Sequence, residues 1–340
     1  MRILVASWSF APSVGGVETT ADLLARHFIS RGHQVVVATA IGAEDHVHRP
    51  YAVIRRPSPW RLAHLVATSD VVFHNAMSVK MAWPLLFIRR PWVVAVRLFF
   101  GDEPSRRERV RHVAHRYARL IANSQATADD LPYSSTVVRN GVRTEVFRVS
   151  TPPKDRDPWR IITAGRLAHV KGFDLLIEAF ARLRLETGRG ELTLVGDGPE
   201  RENLGRLADA RGVSEYVHFV PALAQHQLAE QFNRHAVAVI PSRWRETFGN
   251  VALEAIASGC AVITTSGGGL PEAVGACGIL VPEATADSLY EAMHRVVGQK
   301  ARIARMLEHR EEHVSSLSSD AMGDGYLAVL DEEVSRRARR

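Results

Sequence analysis

The stretch that most limits what this chain can become runs from residue 237 to residue 265. There an apolar run, a helix-length segment and a second apolar run follow one another with little spare chain. Residues 237–240 read as a buried strand that ends in a polar loop. Gly249-Asn250 then opens a helix over 251–258, with Asn250 expected at the N-cap and Gly259 as the C-terminal stop. Residues 261–265 form the next strand and lead into the triple-glycine turn 267–269. A strand–helix–strand unit carries its loops at the carboxyl ends of its strands, where open α/β sheets take ligands. Glu246 lies in the first loop and Glu254 one turn inside the helix. Helical side chains lean toward the N-terminus, so the two carboxyls approach the same mouth. The free N–H groups at the helix start, around Phe248, Gly249, Asn250 and Val251, suit an anion such as a phosphate.

The same rhythm fills the rest of the chain in two series. The first has strands at 2–7, 34–40, 53–55, 71–73 and 92–96, with helices at 17–31, 79–87 and 106–120. Gly15-Gly16 sits at the first strand-to-helix turn, where missing side chains let a phosphate approach the backbone. That pair is not G-x-G-x-x-G, which argues against a dinucleotide site. The second series has strands at 159–163, 191–195 and 217–220 and helices at 173–185, 200–211 and 227–233, and then enters the unit described above. A length of 340 residues exceeds one ordinary core and suits two domains. The Pro-rich, charged segment 150–159 (STPPKDRDPW) marks the boundary, giving domains 1–155 and 156–318. Polar amphipathic helices follow at 286–297 and 300–316, and a last one over about 319–337 is free to cross back to the first domain. The expected architecture is α/β, two Rossmann-like βαβ domains with a cleft between them.

Charge divides the chain unevenly. Residues 1–158 carry 22 Lys+Arg against 13 Asp+Glu, a net of +9, whereas residues 159–340 carry 21 against 24, a net of −3. A basic first half implies an anionic partner: acidic membrane surface, phosphorylated lipid or nucleic acid. The segment 103–119, with six arginines, has its apolar residues at helical spacing and suits a membrane surface as well as a solvated face. No nucleic-acid-binding module accompanies the charge, so nucleic acid is not expected. No stretch reaches the ~20 apolar residues of a membrane span, and no leader peptide is expected. Cys260 and Cys277 lack metal-ligand spacing and read as reduced, buried thiols of a cytoplasmic protein. Asp155-Arg156-Asp157 spells D-x-D but follows no strand and is read as linker. His309–His313 spells H-R-E-E-H without a third ligand and is read as a polar helix.

Four motifs in order carry a family resemblance: GRLAHVKG (165–172), VGDGP (195–199), Glu246 and Glu254 eight apart with Phe248-Gly249 after the first, and GGLPE (268–272). Together they resemble the E-x7-E signature of retaining GT-B glycosyltransferases of family 4, strongly over 159–282 and more loosely over 1–158. IANSQATADDL (121–131) and TVVRNGV (136–142) are similar to that family's segments near the end of its first domain. The resemblance implies a nucleotide-diphosphate sugar donor, UDP- or GDP-linked, an acceptor hydroxyl, and no cofactor or metal; the basic first half points to a lipid-linked or saccharide acceptor, although members of the family also glycosylate soluble metabolites. It gives Arg166 and Lys171 to the diphosphate, Arg through a planar fork and Lys as a mobile point charge. Gly15-Gly16 and the Gly196 turn would also meet the donor. Glu246 would hold the donor sugar near the reacting carbon, Glu254 the ribose hydroxyls, and the backbone of Phe248, Gly249, Asn250 and Val251 sugar and phosphate. One position departs from the pattern: where the family commonly carries a histidine after the strand PWVVAV, this chain has Arg97. Arg97 is expected to supply charge stabilisation there, with His74 at the end of the preceding strand as an alternative. A catalytically altered binding subunit or a sugar-nucleotide epimerase is the competing reading.

Overall fold

A computed structural model describes residues 1–12, 15–43, 47–100 and 115–339. The chain divides into two compact units, Met1–Asn140 with Ser319–Arg340, and Gly141–Ser318.

The first unit holds seven parallel strands: β1 (Arg2–Ser7), β2 (Gln34–Thr39), β3 (Ala52–Arg55), β4 (Val71–His74), β5 (Trp92–Val96), β6 (Arg119–Ala122) and β7 (Ser135–Val137). Their order is β3-β2-β1-β4-β5-β6-β7. Strand side chains alternate between faces, and the sheet is covered on both. Ile3 and Val5 therefore join one core with Leu24, Phe28 and Tyr326, while Leu4 and Ala6 join a second with Leu62 and Val66. The strands read as continuous apolar runs for this reason.

The second unit repeats the plan with β8 (Arg160–Ala164), β9 (Glu191–Val195), β10 (Val217–Val220), β11 (Val237–Ile240), β12 (Ala261–Thr265) and β13 (Gly278–Val281). The order is β10-β9-β8-β11-β12-β13, again all parallel. Val237, Val239 and Ile263 face one core, and Ala238, Ile240 and Val262 the other. In both sheets the winding reverses beside the first strand, at β1/β4 and at β8/β11. Such switch points leave a crevice at the carboxyl edge, the usual ligand position in doubly wound sheets.

Several expectations change. The boundary placed at 155/156 lies between Asn140 and Gly141. The segment after it is part of the second unit's interior, where Phe147 is buried. Arg156, the centre of the supposed linker, is only 3% exposed and donates to the carbonyls of Thr151, Phe232, His235 and Ser258 and to Asn233 Oδ1. A buried guanidinium ringed by carbonyl oxygens is an anchor, not slack chain. The helix expected at 79–87 is α-helical over Val79–Ala82 and tightens to a 3₁₀ turn over Trp83–Leu86, because Pro84 has no N–H to give. The helix expected at 106–120 falls mostly outside the described residues, and its end is not helical, since Arg119 and Leu120 already belong to β6. The helix expected at 300–316 is two, Lys300–Met306 and Arg310–Ser316. His313 donates Nε2–H to the carbonyl of Ala273 at 2.8 Å, a structural use of the second histidine in H-R-E-E-H.

The helix Ser319–Ala338 packs in the first unit, on the helix Gly16–Ser30 and on β4 and β5. Met322, Tyr326, Val329 and Leu330 complete a core there. The buried ring of His27 lies between Asp320 Oδ1 at 3.2 Å and Asp324 Oδ1 at 2.9 Å. Gly323 leaves the space, since a Cβ on it would stand 2.3 Å from the His27 ring. Among the described residues no helix is long and apolar enough to cross a membrane.

Candidate functional site

At the carboxyl edge of the second sheet the loops after β8, β9, β11 and β12 are joined backbone to backbone. Leu167 N–H donates to Asp197 O at 2.9 Å, Arg243 N–H to Val170 O at 2.9 Å, and Gly269 N–H to Glu246 O at 2.7 Å. The close approach of these loops requires glycine. A Cβ on Gly196 (φ 143°) would stand 1.9 Å from the carbonyl oxygen of Gly165, and one on Gly268 (φ 71°) 2.2 Å from that of Glu246. The Gly-rich turns thus hold the loops at fixed spacing and set where the loop side chains start.

From that frame Lys171 and Glu246 meet across the β8/β11 switch point. Lys171 Nζ stands 2.5 Å from Glu246 Oε1, both side chains half-buried. An ammonium has three N–H donors, so two remain for another acceptor. The same carboxylate oxygen accepts from the hydroxyl of the buried Ser242 at 2.7 Å. Arg166, six residues after the start of its loop's strand, is exposed, and among the described residues no hydrogen bond or ion pair engages its guanidinium. Arg243 pins the β11 loop from the other side, with its two Nη atoms on the two carboxylate oxygens of Asp174 at 2.5 and 2.6 Å. Ser242 and Arg243 carry no motif of their own. The fork that Arg243 makes with a residue 69 positions away could not be read from spacing.

The helix Asn250–Ala257 rises behind Glu246. Its N-cap is Gly249, in the left-handed region at φ 108°, not Asn250, which is the first helical residue; only glycine takes that backbone at low cost. Gly249, having no side chain, supplies no side-chain cap to this N-terminus. Phe248 is buried at 1% exposure and wedges the loop, while Gly249, Asn250 and Val251 are half-buried at the edge. Glu254, one turn in, keeps part of its surface toward solvent. Crowding nonetheless desolvates its carboxyl and pushes its pKa up to about 8. Among the described residues no side chain pairs with it, so the carboxyl lacks the hydrogen bonds that would favour the ionised form.

In the first unit the predicted residues are differently employed. Gly15 precedes the helix Gly16–Ser30 with extended backbone, and a Cβ on it would stand 2.5 Å from Glu18 Oε2. Glu18, which also accepts from Ser9 Oγ, is therefore the anion now at this N-terminus. Arg97 is half-buried and commits four N–H groups: Nε to Asn75 O (2.8 Å), Nη1 to Asn140 Oδ1 (3.2 Å), and Nη2 to Asn75 Oδ1 (2.9 Å) and Tyr326 Oη (3.2 Å). Among the described residues, one of the five guanidinium N–H groups is left over. His74, the proposed alternative, is fully buried; its Nδ1 accepts from Trp92 Nε1 at 3.0 Å and burial lowers its pKa to about 3. His74 faces no solvent.

Two family models match the chain in succession. The model described as "Glycosyltransferase Family 4" matches residues 14–146, and that described as "Glycosyl transferases group 1" matches residues 147–313. The D-inositol 3-phosphate glycosyltransferase of Thermobifida fusca is 30% identical over 309 residues, covering 78% of this chain and 70% of that protein. The chain belongs to glycosyltransferase family 4. The D-inositol 3-phosphate glycosyltransferase of Streptomyces bingchenggensis is 32% identical over 252 residues, 65% of this family 4 chain and 54% of that protein, so this chain matches little more than half of that relative's length. Among solved structures, Anabaena Alr3699/HepE in complex with UDP superposes with a TM-score of 0.82 at 21% identity, covering 98% of this chain and 100% of that one. Two Rossmann-like α/β units of the GT-B class are thus the fold of this family 4 chain.

Proposed function

We propose that this chain binds a nucleoside-diphosphate sugar, UDP- or GDP-linked, at the carboxyl edge of the second sheet and moves the sugar to an acceptor hydroxyl with retention of configuration. The Lys171–Glu246 pair at the β8/β11 switch point carries the reading, because it sets a cation with spare donors against a carboxylate with a spare oxygen. As the anomeric C–O bond breaks, negative charge gathers on the leaving diphosphate. The spare N–H groups of Lys171, the uncommitted Arg166 and the positive end of the helix Asn250–Ala257 are disposed to stabilise it. Each such contact contributes about 3–4 kcal/mol in the transition state, and no metal is called for. Glu246 offers its second oxygen to a donor-sugar hydroxyl, and Glu254 accepts from the ribose. The leaving phosphate takes the acceptor proton, so no pair of carboxylates at hydrolase spacing is needed. Gly196 shapes the turn beside Gly165, and Gly15-Gly16 offer N–H groups once Glu18 moves aside. Arg97 adds charge through its one remaining N–H. The UDP held by the Anabaena protein and the glycosyl transfer in the relatives' names support this reading.

The acceptor we propose is a saccharide or a lipid-linked saccharide in bacterial-type polysaccharide, lipopolysaccharide or glycolipid assembly, met at the inner membrane face. Its support is the +9 charge of residues 1–158. A second reading, a donor-binding subunit without transfer, is favoured by one observation: Arg97, standing where the family commonly has histidine, has most of its donors committed. Thermal denaturation with UDP, GDP, ADP and their sugar conjugates, alongside Glu254→Ala, tests the donor site. A nucleotide at ~100 times its Kd stabilises by ~2.7 kcal/mol. A shift with one base, lost in the variant, supports the site, and release of that nucleotide from its sugar conjugate on adding acceptor then separates transferase from subunit. No shift with any nucleotide sinks both readings.

A further inference from the structure

The two oxygens of Glu246 have different surroundings. Oε1 receives Lys171 Nζ and Ser242 Oγ, at 2.5 and 2.7 Å. Among the described residues Oε2 has no partner. We propose that Ser242 is a positioning residue: it holds Oε1 so that Oε2 is the oxygen presented to the donor sugar, and it continues to hold Glu246 when Lys171 turns toward the diphosphate. The inference rests on the donor reading above.

Three observations make Ser242 a built anchor and not an incidental neighbour. Its side chain is buried, at 2% exposure, and Glu246 is the acceptor its hydroxyl finds. Its carbonyl accepts from the buried Thr265 Oγ1 at 2.8 Å, which fastens the residue to the end of β12. The next residue, Arg243, is forked onto Asp174 and also donates to His169 O at 3.1 Å, which fastens it to the β8 loop. Ser242 thus sits between two fixed points, and its hydroxyl has little room to follow a drifting carboxylate. Lys171, by contrast, is a flexible stem whose ammonium has two candidate acceptors once a diphosphate arrives. A short hydroxyl-to-carboxylate bond from a rigid donor keeps the rotamer of Glu246 when the ammonium is shared.

The test has two arms on the full chain. In the first, without ligand, Ser242→Ala, Glu246→Ala and the double variant are melted. If the hydroxyl and carboxylate are coupled, the double variant falls short of the summed Tm losses; additive losses overturn the contact. In the second, Kd values for UDP, UDP-glucose, GDP and GDP-mannose are measured by calorimetry. Ser242→Ala is expected to weaken the nucleotide sugar that the protein prefers by about tenfold relative to its bare nucleotide, with the bare nucleotide changed less than about twofold, and Ser242→Thr to restore the difference. Equal weakening of both ligands, or no rescue by threonine, makes Ser242 merely structural and overturns the proposal. If the unaltered protein binds no nucleotide at all, the donor reading falls and takes the positioning role with it, while the first arm still decides the contact.

Discussion

The two sheets share one winding, and each leaves a crevice beside its first strand, yet their carboxyl edges are built differently. In the second unit the edge is made of loops stitched to one another, and charged side chains stand out from them: Lys171 and Glu246 paired, Arg166 exposed. In the first unit the cation at the corresponding edge, Arg97, is turned inward and tied to Asn75, Asn140 and Tyr326. One edge spends backbone contacts to free its side chains, while the other spends a side chain to hold its backbone. The contrast makes the second unit the seat of a preformed charged site and the first unit a braced surface with fewer open groups.

The largest effect separating the two edges should come from their charges. Glu246→Ala or Lys171→Ala is expected to lower transfer by about 10²–10³-fold, an effect far larger than the modest, measurable loss of melting temperature from the broken contacts. Arg97→Lys keeps the charge but loses the fork, so it should cost about 1–3 kcal/mol of stability before it costs turnover. Paired denaturation and rate measurements on the three variants check this, and a stable but inactive Arg97→Lys would erase the distinction.

Next come the glycines. Gly196→Ala forces a Cβ to within 1.9 Å of Gly165 O, and about 3 kcal/mol of destabilisation is expected. Gly32, in the first unit, also has a positive φ, of 83°, but nothing within 4 Å of an added Cβ. Gly32→Ala should cost only about 1 kcal/mol, the backbone strain alone. Equal losses in urea melts would mean that loop stitching is not what the second edge depends on.

A smaller effect is a proton. The Glu254 carboxyl, raised from 4.5 to about 8 by burial, is mostly protonated at neutral pH. The folded protein holds that proton longer than the unfolded chain, so this group makes stability decline as pH rises from 4.5 toward 8. Ribose hydroxyls donating to the carboxylate would favour its ionised form. Nucleotide binding at pH 7 should then release up to about one proton, and affinity should rise between pH 7 and 8. Calorimetry in buffers of different ionisation enthalpy reads the proton directly, and Glu254→Gln should abolish it. The smallest effect lies on the acid side. His74 in the first unit and His235 in the second are buried neutral, with pKa values lowered by burial from 6.5 to about 3 and about 4. The unfolded chain binds protons first, so both make stability fall as pH drops below 6.5. His74 has one partner and an Nε2 without any among the described residues, whereas His235 bonds both Thr193 and the carbonyl of Gln231. Replacing His74 by Leu should flatten the acid limb of the stability curve at less cost at pH 7 than replacing His235 by Leu.

The same contrast explains what could be read from residues alone. The strands of both sheets were legible because burial on two faces leaves near-continuous Val/Ile/Leu runs, and the second edge was legible because close backbone approach requires glycine at set places. The Lys171–Glu246 meeting follows from topology once β8 and β11 are neighbours. The linker reading of Arg156 fails because its partners, the carbonyls of Phe232, His235 and Ser258, come from far along the chain. The inward turn of Arg97 depends on Tyr326, 229 residues away, and the cap at Gly249 on a φ that the pair Gly249-Asn250 leaves open between two residues. What spacing encodes was recoverable. What long-range partners decide was not.

The core of the first unit includes Met322, Tyr326, Val329 and Leu330, so this sheet lacks part of its covering until the last helix has been synthesised. The second unit is one uninterrupted stretch, Gly141–Ser318, and every residue of its two cores has been synthesised before that helix begins. The order of completion therefore inverts the order of synthesis: the half begun first is finished last, and in the interval its apolar sheet face is what a chaperone would have to cover.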